Sequence, residues 1–442
     1  MEMSLGGGTF TAQNKVLSGA YINFVSASRA STMLSDRGTV AMPVALSWGN
    51  DTGVFTVTAE EFQKDSLKLF GFEYTDDEMS NLRELFAHAK EAHLFRVGTG
   101  GVKAECTYAT AKYSGVCGNN LKIVITENED STNENPLFDV ETFYNVVKVD
   151  EQKKIASMSD LKPNDFIDWK PTAELAVTAG TPLTGGVNGT VSTSDYQIFL
   201  DRIESYDFNI LALVSTNEIL NALFANFTKR MRDDMGIKFQ CVLYRYSTAN
   251  YEGVISVENS VVSDNGESGD LVYWVAGAQA GCAVNKSLSN CVYDGEYGVD
   301  TDYTQVQLEQ AIKAGKFIFH KNKDNICVLD DINTFIEFTD DKNSDFSSNQ
   351  IIRVLDQIGN DIADLFNTRY NGSVPNDNAG RISFWNDIVK HHQILQSIRA
   401  IEDFDPDKVT VEKGETKKSV VVTEYISPVS AMQQLYMYVI VQ

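Results

Sequence analysis

The sequence predicts a multidomain protein of mixed α/β and α+β class, with a small all-β domain inserted into an α/β sheet domain. Three observations carry this. Strands and helices alternate from about residue 196 to 330, the rhythm of a largely parallel sheet. Between about 104 and 180 that rhythm gives way to short alternating strands separated by turns. Two long helical stretches then precede a final segment with no charged side chain. The chain has 442 residues, enough for roughly two to four domains with real cores.

Residues 1–20 are rich in Gly, Ser and Thr and carry only Glu2 and Lys15 as charged side chains, so they read as a flexible lead-in around Gly6-Gly7-Gly8. Strands are expected at Gly19–Phe24 and Gly38–Leu46. A helix is expected over Asp76–Phe95, where Met79, Leu82, Leu85, Phe86 and Leu94 mark a buried stripe. His88 and His93 fall on it with a spacing that separates their faces, which favours solvent or packing roles. In the inserted β region the clear strands are Leu121–Thr126, Phe138–Phe143 and Tyr144–Val149, with Glu127–Asn135 as a loop.

The α/β part is expected to run through helix Tyr196–Ile203, strand Phe208–Val214, helix Asn217–Met235, and strands Lys238–Tyr244 and Gly253–Val257. It continues with the apolar helix Leu271–Ala283, helix Thr304–Ala314, and strands Lys316–His320 and Asn325–Asp330. The most regular helix is Ser348–Tyr370, with Ile351, Leu355, Ile358, Ile362 and Leu365 in period and Asn371-Gly372 ending it. A second helix is expected over Arg381–Ile401, then strands Val409–Glu412 and Ser419–Tyr425.

Composition excludes several functions. The chain carries 61 Asp and Glu against 37 Lys and Arg, a formal net charge of −24, which argues against nucleic acid and anionic membranes as partners. Met1–Lys15 has neither the basic start nor the apolar core of a signal peptide. The longest apolar run, Leu271–Val284, is about fourteen residues, too short to span a bilayer. The six cysteines lack metal-site spacing and read as reduced thiols.

No phosphate-binding GxGxxG or GxxxxGK[ST] follows the expected strands, and no GxSxG nucleophile elbow occurs. Ser215 and Thr216 read as helix caps. The glycine-rich Leu183–Gly189 precedes a helix but has no lysine to hold a phosphate, so a plain turn is expected. Pairs such as Asp330-Asp331 and Asp340-Asp341 read as solvated faces. No catalytic constellation, metal site or cofactor is expected. A better signal is the helix from Arg381, which holds Arg381, Lys390 and Arg399 against Asp387. At helical spacing Arg381, His392 and Arg399 fall within about 20° of one another. That stripe is either a core helix paired with its own acids or a face for an acidic partner.

The final segment, Tyr425–Gln442, alternates Leu435, Met437, Val439 and Val441 with Tyr436, Tyr438 and Ile440. Both faces are apolar, so such a strand must be covered and paired. It is either the last core strand of its own domain or an arm that adds to a sheet in another subunit.

Taken together, these features resemble the contractile tail sheath proteins of bacteriophages and phage-tail-like particles, most closely the branch of Gram-positive hosts. The resemblance is carried by Met3-Ser-Leu-Gly-Gly-Gly-Thr-Phe, Gly19-Ala-Tyr-Ile-Asn-Phe, Leu183-Thr-Gly-Gly-Val-Asn-Gly and Gly253-Val-Ile-Ser-Val-Glu-Asn. It continues through Val275-Ala-Gly-Ala-Gln-Ala-Gly, Asn325-Ile-Cys-Val-Leu-Asp-Asp-Ile-Asn-Thr-Phe, Gly380-Arg-Ile-Ser-Phe-Trp-Asn and Met432–Gln442. It implies a sheath of stacked hexameric rings around an inner tube, without covalent chemistry, and metastable before contraction. It implies an N-terminal arm (Gly6, Gly7, Gly8, Thr9, Phe10) and a C-terminal arm (Leu435, Tyr436, Met437, Tyr438, Val439, Ile440, Val441) that cross to neighbours. The implied division is an arm at 1–20, a sheath α/β domain at 21–103 and 181–345, an outer β domain at 104–180, an inner tube-facing α+β domain built from both chain ends at 346–424, and an arm at 425–442. Arg381, Lys390, His392 and Arg399 would form a basic stripe facing the tube. Implied partners are further copies of the chain, the tube protein, and baseplate and terminator proteins, in a particle assembled in the bacterial cytoplasm.

Overall fold

The computed structural model describes residues 34–263 and 266–441. The expected strand Gly19–Phe24 and the lead-in Gly6–Phe10 lie outside the described residues. The chain forms two compact units. The larger comprises Asp36–Asn360, Arg399–Glu402 and Pro428–Gln442; the smaller includes Asp361–Ile398 and Asp403–Ser427.

The larger unit is built on a seven-stranded sheet in the order Lys316–Phe317, Val254–Val257, Gln240–Tyr244, Ile210–Leu213, Thr39–Val44, Glu91–Arg96, Val54–Thr58. All neighbours are parallel except the edge pair Val54–Thr58 with Glu91–Arg96. Its strands are runs of apolar residues because both faces are covered. Strand pleating sorts them by parity. Val40, Met42, Ile210, Ala212 and Val242 pack on one side with helix Leu271–Gly281. Ala41, Leu211, Leu213, Cys241 and Leu243 pack on the other with helices Thr193–Ile203 and Glu218–Asp233. Gly277 and Gly281 have a packing reason. A Cβ on them would stand 2.2 Å from the Leu85 carbonyl oxygen and 2.3 Å from that of His88, so only glycine admits this close approach.

The inserted β region holds a four-stranded antiparallel sheet, Thr178–Pro182, Leu121–Glu127, Phe138–Tyr144 and Val147–Ile155, and a three-stranded one, Lys103–Glu105, Ala109–Ser114 and Ile167–Trp169. Their shared core includes Leu121, Ile123, Ile125, Val140 and the fully buried Trp48, whose ring meets Tyr113 edge-on at 5.3 Å. Leu183–Gly189 belongs to this region. Thr184 bridges to Glu105 and Val187 to Val102, so its backbone groups are used within the sheet.

Several expectations are corrected. The stretch Asp76–Phe95 is not one helix: a 3-10 turn Asp77–Met79 and a short helix Ser80–Phe86 precede the strand Glu91–Arg96. That strand pairs on both sides, with Thr39–Val44 and Val54–Thr58, and these ladders override the helical spacing of Leu94. His93 therefore sits on a strand, its Nδ1 2.9 Å from Thr56 Oγ1. The cap of helix Glu218–Asp233 is Asn217, which accepts from the Ile219 amide at 2.9 Å, while Ser215 accepts from the Asn217 amide. Asp331 is no solvated face. It is 2% exposed and accepts from Gln279, Asn349 and Arg353, whose guanidinium is 1% exposed. This buried network recurs one turn along helix Asn349–Leu365, where Asp356 takes both Nη atoms of Arg232 at 2.6 and 2.7 Å.

In the smaller unit a π-turn, Phe366–Tyr370, follows that helix, and helix Asn378–Ser397 comes next. A hairpin pairs Thr410–Lys413 with Val420–Thr423. Their core is Leu365, Tyr370, Phe384, Ile388 and Val409, and Trp385 Nε1 donates to the Val409 carbonyl at 2.9 Å.

Candidate assembly surfaces

The end of the chain is anchored and then released. The Val429 amide donates to the Ala400 carbonyl at 2.9 Å, and the Ala431 amide to Gln350 Oε1 at 3.0 Å. Gln433 Nε2 donates to Ser289 Oγ and to Asp330 Oδ1, whose carboxyl is held above the usual range by burial. Beyond this point Leu435–Val441 forms no strand with any described residue and lies in solvent: Tyr438 is 94% exposed and Ile440 86%. The expectation of a core strand within the chain's own domain is thereby corrected. Among the described residues nothing covers these apolar side chains, which alternate over two faces.

The hairpin Thr410–Lys413/Val420–Thr423 is a two-stranded sheet with no third strand among the described residues, and Val421 is 52% exposed. Isolated two-stranded sheets are marginal and leave both edges unpaired. Beside it a cleft of about 620 Å3 is floored by Phe366, Tyr370 and Phe384 and carries Arg381, Lys417 and Lys418; no acid lines it. Arg381 Nη1 donates to the Asn376 carbonyl and to its Oδ1 at 3.2 and 3.1 Å, which fixes the guanidinium at the cleft.

The basic stripe of the sequence does not form as spaced. His392 is fully buried and its Nε2 lies 3.0 Å from Glu424 Oε2, so it presents no charge to a partner. Arg399 falls after the helix, which ends at Ser397, and has φ +61°, so helical spacing no longer applies to it. Lys390 is exposed on the helix. Of the four, Arg381 alone lines the cleft, joined there by Lys417 and Lys418, which helical spacing could not reach because they come from the hairpin turn.

Other reactive side chains have structural partners. Burial pushes the Cys241 thiol up to about 12, where it is inert, and also raises Glu84, which accepts from Tyr293 Oη at 2.9 Å. His88 Nε2 lies 2.9 Å from Asp294 Oδ1. Among the described residues no group of three or more His, Cys, Asp or Glu side chains is placed to hold a metal, and no helix is long and apolar enough to cross a membrane.

Four family descriptions match in succession: "Tail sheath protein Gp18 domain III N-terminal region" at 37–97, "Phage tail sheath protein beta-sandwich domain" at 99–188, "Phage tail sheath protein central domain" at 189–334 and "Phage tail sheath C-terminal domain" at 341–442. The phage-like element PBSX protein XkdK of Bacillus subtilis is 32% identical, over 98% of this chain and 99% of that protein. A sheath tail protein from Desulfitobacterium hafniense has a similar structure, at a TM-score of 0.80 with 36% identity, covering 94% of this chain and 98% of that one. The anti-feeding prophage helical sheath in its contracted state shares the fold at a TM-score of 0.57 and 12% identity, covering 97% and 99% of the two chains. These matches define a structural protein of phage tails, similar to those of Gram-positive bacteria. Within that class the chain belongs to the phage tail sheath protein family.

Proposed function

We propose that this chain is the subunit of a contractile sheath that polymerises as stacked hexameric rings around an inner tube and shortens to drive that tube through a cell envelope. The observation that carries the proposal is the exposed Leu435–Val441, a β-patterned, uncharged segment without a strand partner among the described residues. Strand addition would cover it on a neighbour and satisfy its backbone groups. A contact that links unlike surfaces and does not close makes a helix. The hairpin Thr410–Lys413/Val420–Thr423, which has no third strand among the described residues, would be the matching acceptor, and Gly6–Phe10 would supply a second added strand for a four-stranded mesh. Work would come from new contacts between subunits, with a barrier holding the extended state. Arg381, Lys417 and Lys418 would dock an acidic tube, and baseplate and terminator proteins would bound the sheath. The particle, a virion or a phage-tail-like device, would assemble in the host cytoplasm.

Deleting Met432–Gln442 tests the reading. The truncated chain should give the same thermal unfolding midpoint as the full one and remain monomeric in negative-stain micrographs. Sheath-like rods formed by the truncated chain would refute it.

A further inference from the structure

The two adjacent histidines of helix Asn378–Ser397 form an internal array that packing does not require. Their side chains are 2% and 0% exposed. His391 Nδ1 and His392 Nδ1 face each other at 3.1 Å. His391 Nε2 lies 2.8 Å from Asp361 Oδ2, on the end of helix Asn349–Leu365, and His392 Nε2 lies 3.0 Å from Glu424 Oε2, just past the hairpin. Ser35 Oγ donates to the other oxygen of Asp361 at 2.6 Å. From the segment after the helix, Phe404 packs on His392 with ring centres 5.1 Å apart. Among the described residues the ionisable partners of the rings are therefore these two carboxylates, while Lys390, next along the helix, is exposed.

Hydrogen-bond chemistry fixes how many protons this arrangement holds. Each Nε2 meets a carboxylate, which only accepts, so each Nε2 must carry a proton. The two Nδ1 atoms face one another, so one donates and the other accepts, and they hold one proton between them. Three protons on two rings make one imidazolium and one neutral imidazole, a single positive charge between two carboxylates. Every nitrogen is then satisfied, as burial demands.

We propose that His391, His392, Asp361 and Glu424 form a proton-counting clasp, closed with three imidazole protons and opened by a fourth. The fourth proton makes both rings imidazolium and sets two N–H groups against each other across 3.1 Å. Losing the third instead leaves two lone pairs opposed, or one aimed at a carboxylate. The clasp is therefore closed in an intermediate pH window. It opens when acid supplies the fourth proton. Glu424 is the member able to leave, since its side chain is 25% exposed. It is also the last charged residue before the uncharged Tyr425–Gln442. Opening thus frees the chain between Glu424 and its next anchor, the Val429 amide on the Ala400 carbonyl, and an effect on the segment beyond rests on that segment's proposed role as an intersubunit arm.

The proton count can be read in the unassembled full chain, labelled with 15N at histidine, by long-range nitrogen–proton correlation between about pH 8 and pH 5. Three nitrogen-bound protons on His391 and His392 near neutrality, and a fourth on acidification, are expected. With the fourth proton, amide exchange around Glu424, corrected for its intrinsic pH dependence, should rise about tenfold. His392→Gln keeps a donor towards Glu424 and has no ring proton to gain, so its exchange should show no such step. Two or four protons at neutral pH with the amides protected, or the same step in wild type and His392→Gln, would overturn the clasp. Sheath formation is scored separately by electron microscopy across the same range. An intact proton step with sheath yield independent of pH would overturn the link to the arm and leave the count standing.

Discussion

The strand Ile210–Leu213 and the segment Leu435–Val441 are built from similar residues and meet opposite fates. Both are apolar and uncharged, and both suit a pleated strand. Ile210–Leu213 has a parallel neighbour on each side and helices over both faces, and its four residues are buried. Leu435–Val441 has neither strand neighbour nor cover among the described residues, and its residues are 72% to 94% exposed. Apolar side chains left in water cost about 25 cal/mol per Å2, so a chain that keeps them there gains by covering them against something else. The difference teaches that strand chemistry alone does not decide where a strand is used; the supply of edges within the chain does. The seven-stranded sheet places Ile210–Leu213 in its interior, while the hairpin Thr410–Lys413/Val420–Thr423 has no third strand among the described residues.

Mutations that act on one region and spare the other sharpen this contrast. The largest effect is expected from Ile440→Pro, which removes a backbone donor from the segment. Assembly, scored by sedimentation, should be lost outright while the unfolding midpoint stays unchanged. Arg353→Leu should do the reverse. It leaves Asp331 charged and buried at 2% exposure, so the monomer should lose about 3–5 kcal/mol in denaturant titration. Arg381→Glu together with Lys418→Glu should leave stability unchanged and weaken co-assembly with an acidic tube about tenfold, the gap narrowing as salt rises. Smallest of all, Thr58→Ala removes the capping box of helix Ala59–Phe70 and should cost about 1 kcal/mol without touching assembly.

What could be read from sequence follows the same division. Ile210–Leu213, Gln240–Tyr244 and Val254–Val257 were visible because continuous apolar runs bounded by turns mark covered strands, and Asn349–Leu365 because its apolar period is regular. The strand Glu91–Arg96 was hidden because a short buried run satisfies helical and strand spacing alike, and only its two ladders decide between them. The helix Ala59–Phe70 was missed, although its Thr58 and Glu61 have the spacing of a capping box. His392 illustrates the limit. Angular spacing placed it beside Arg381, whereas the side of the helix that is buried depends on Glu424 and Phe404, distant in sequence. Lys417 and Lys418 reach the cleft only through the hairpin, a contact no helical period encodes.

The central claim, that Leu435–Val441 completes a sheet in another copy, is tested most directly by amide hydrogen exchange across Met432–Val441 in the monomer and in the assembled sheath. The account predicts exchange near the unprotected rate in the monomer and at least about a hundredfold slower in the sheath, with alternate amides most protected. Equal, rapid exchange in both states would contradict it.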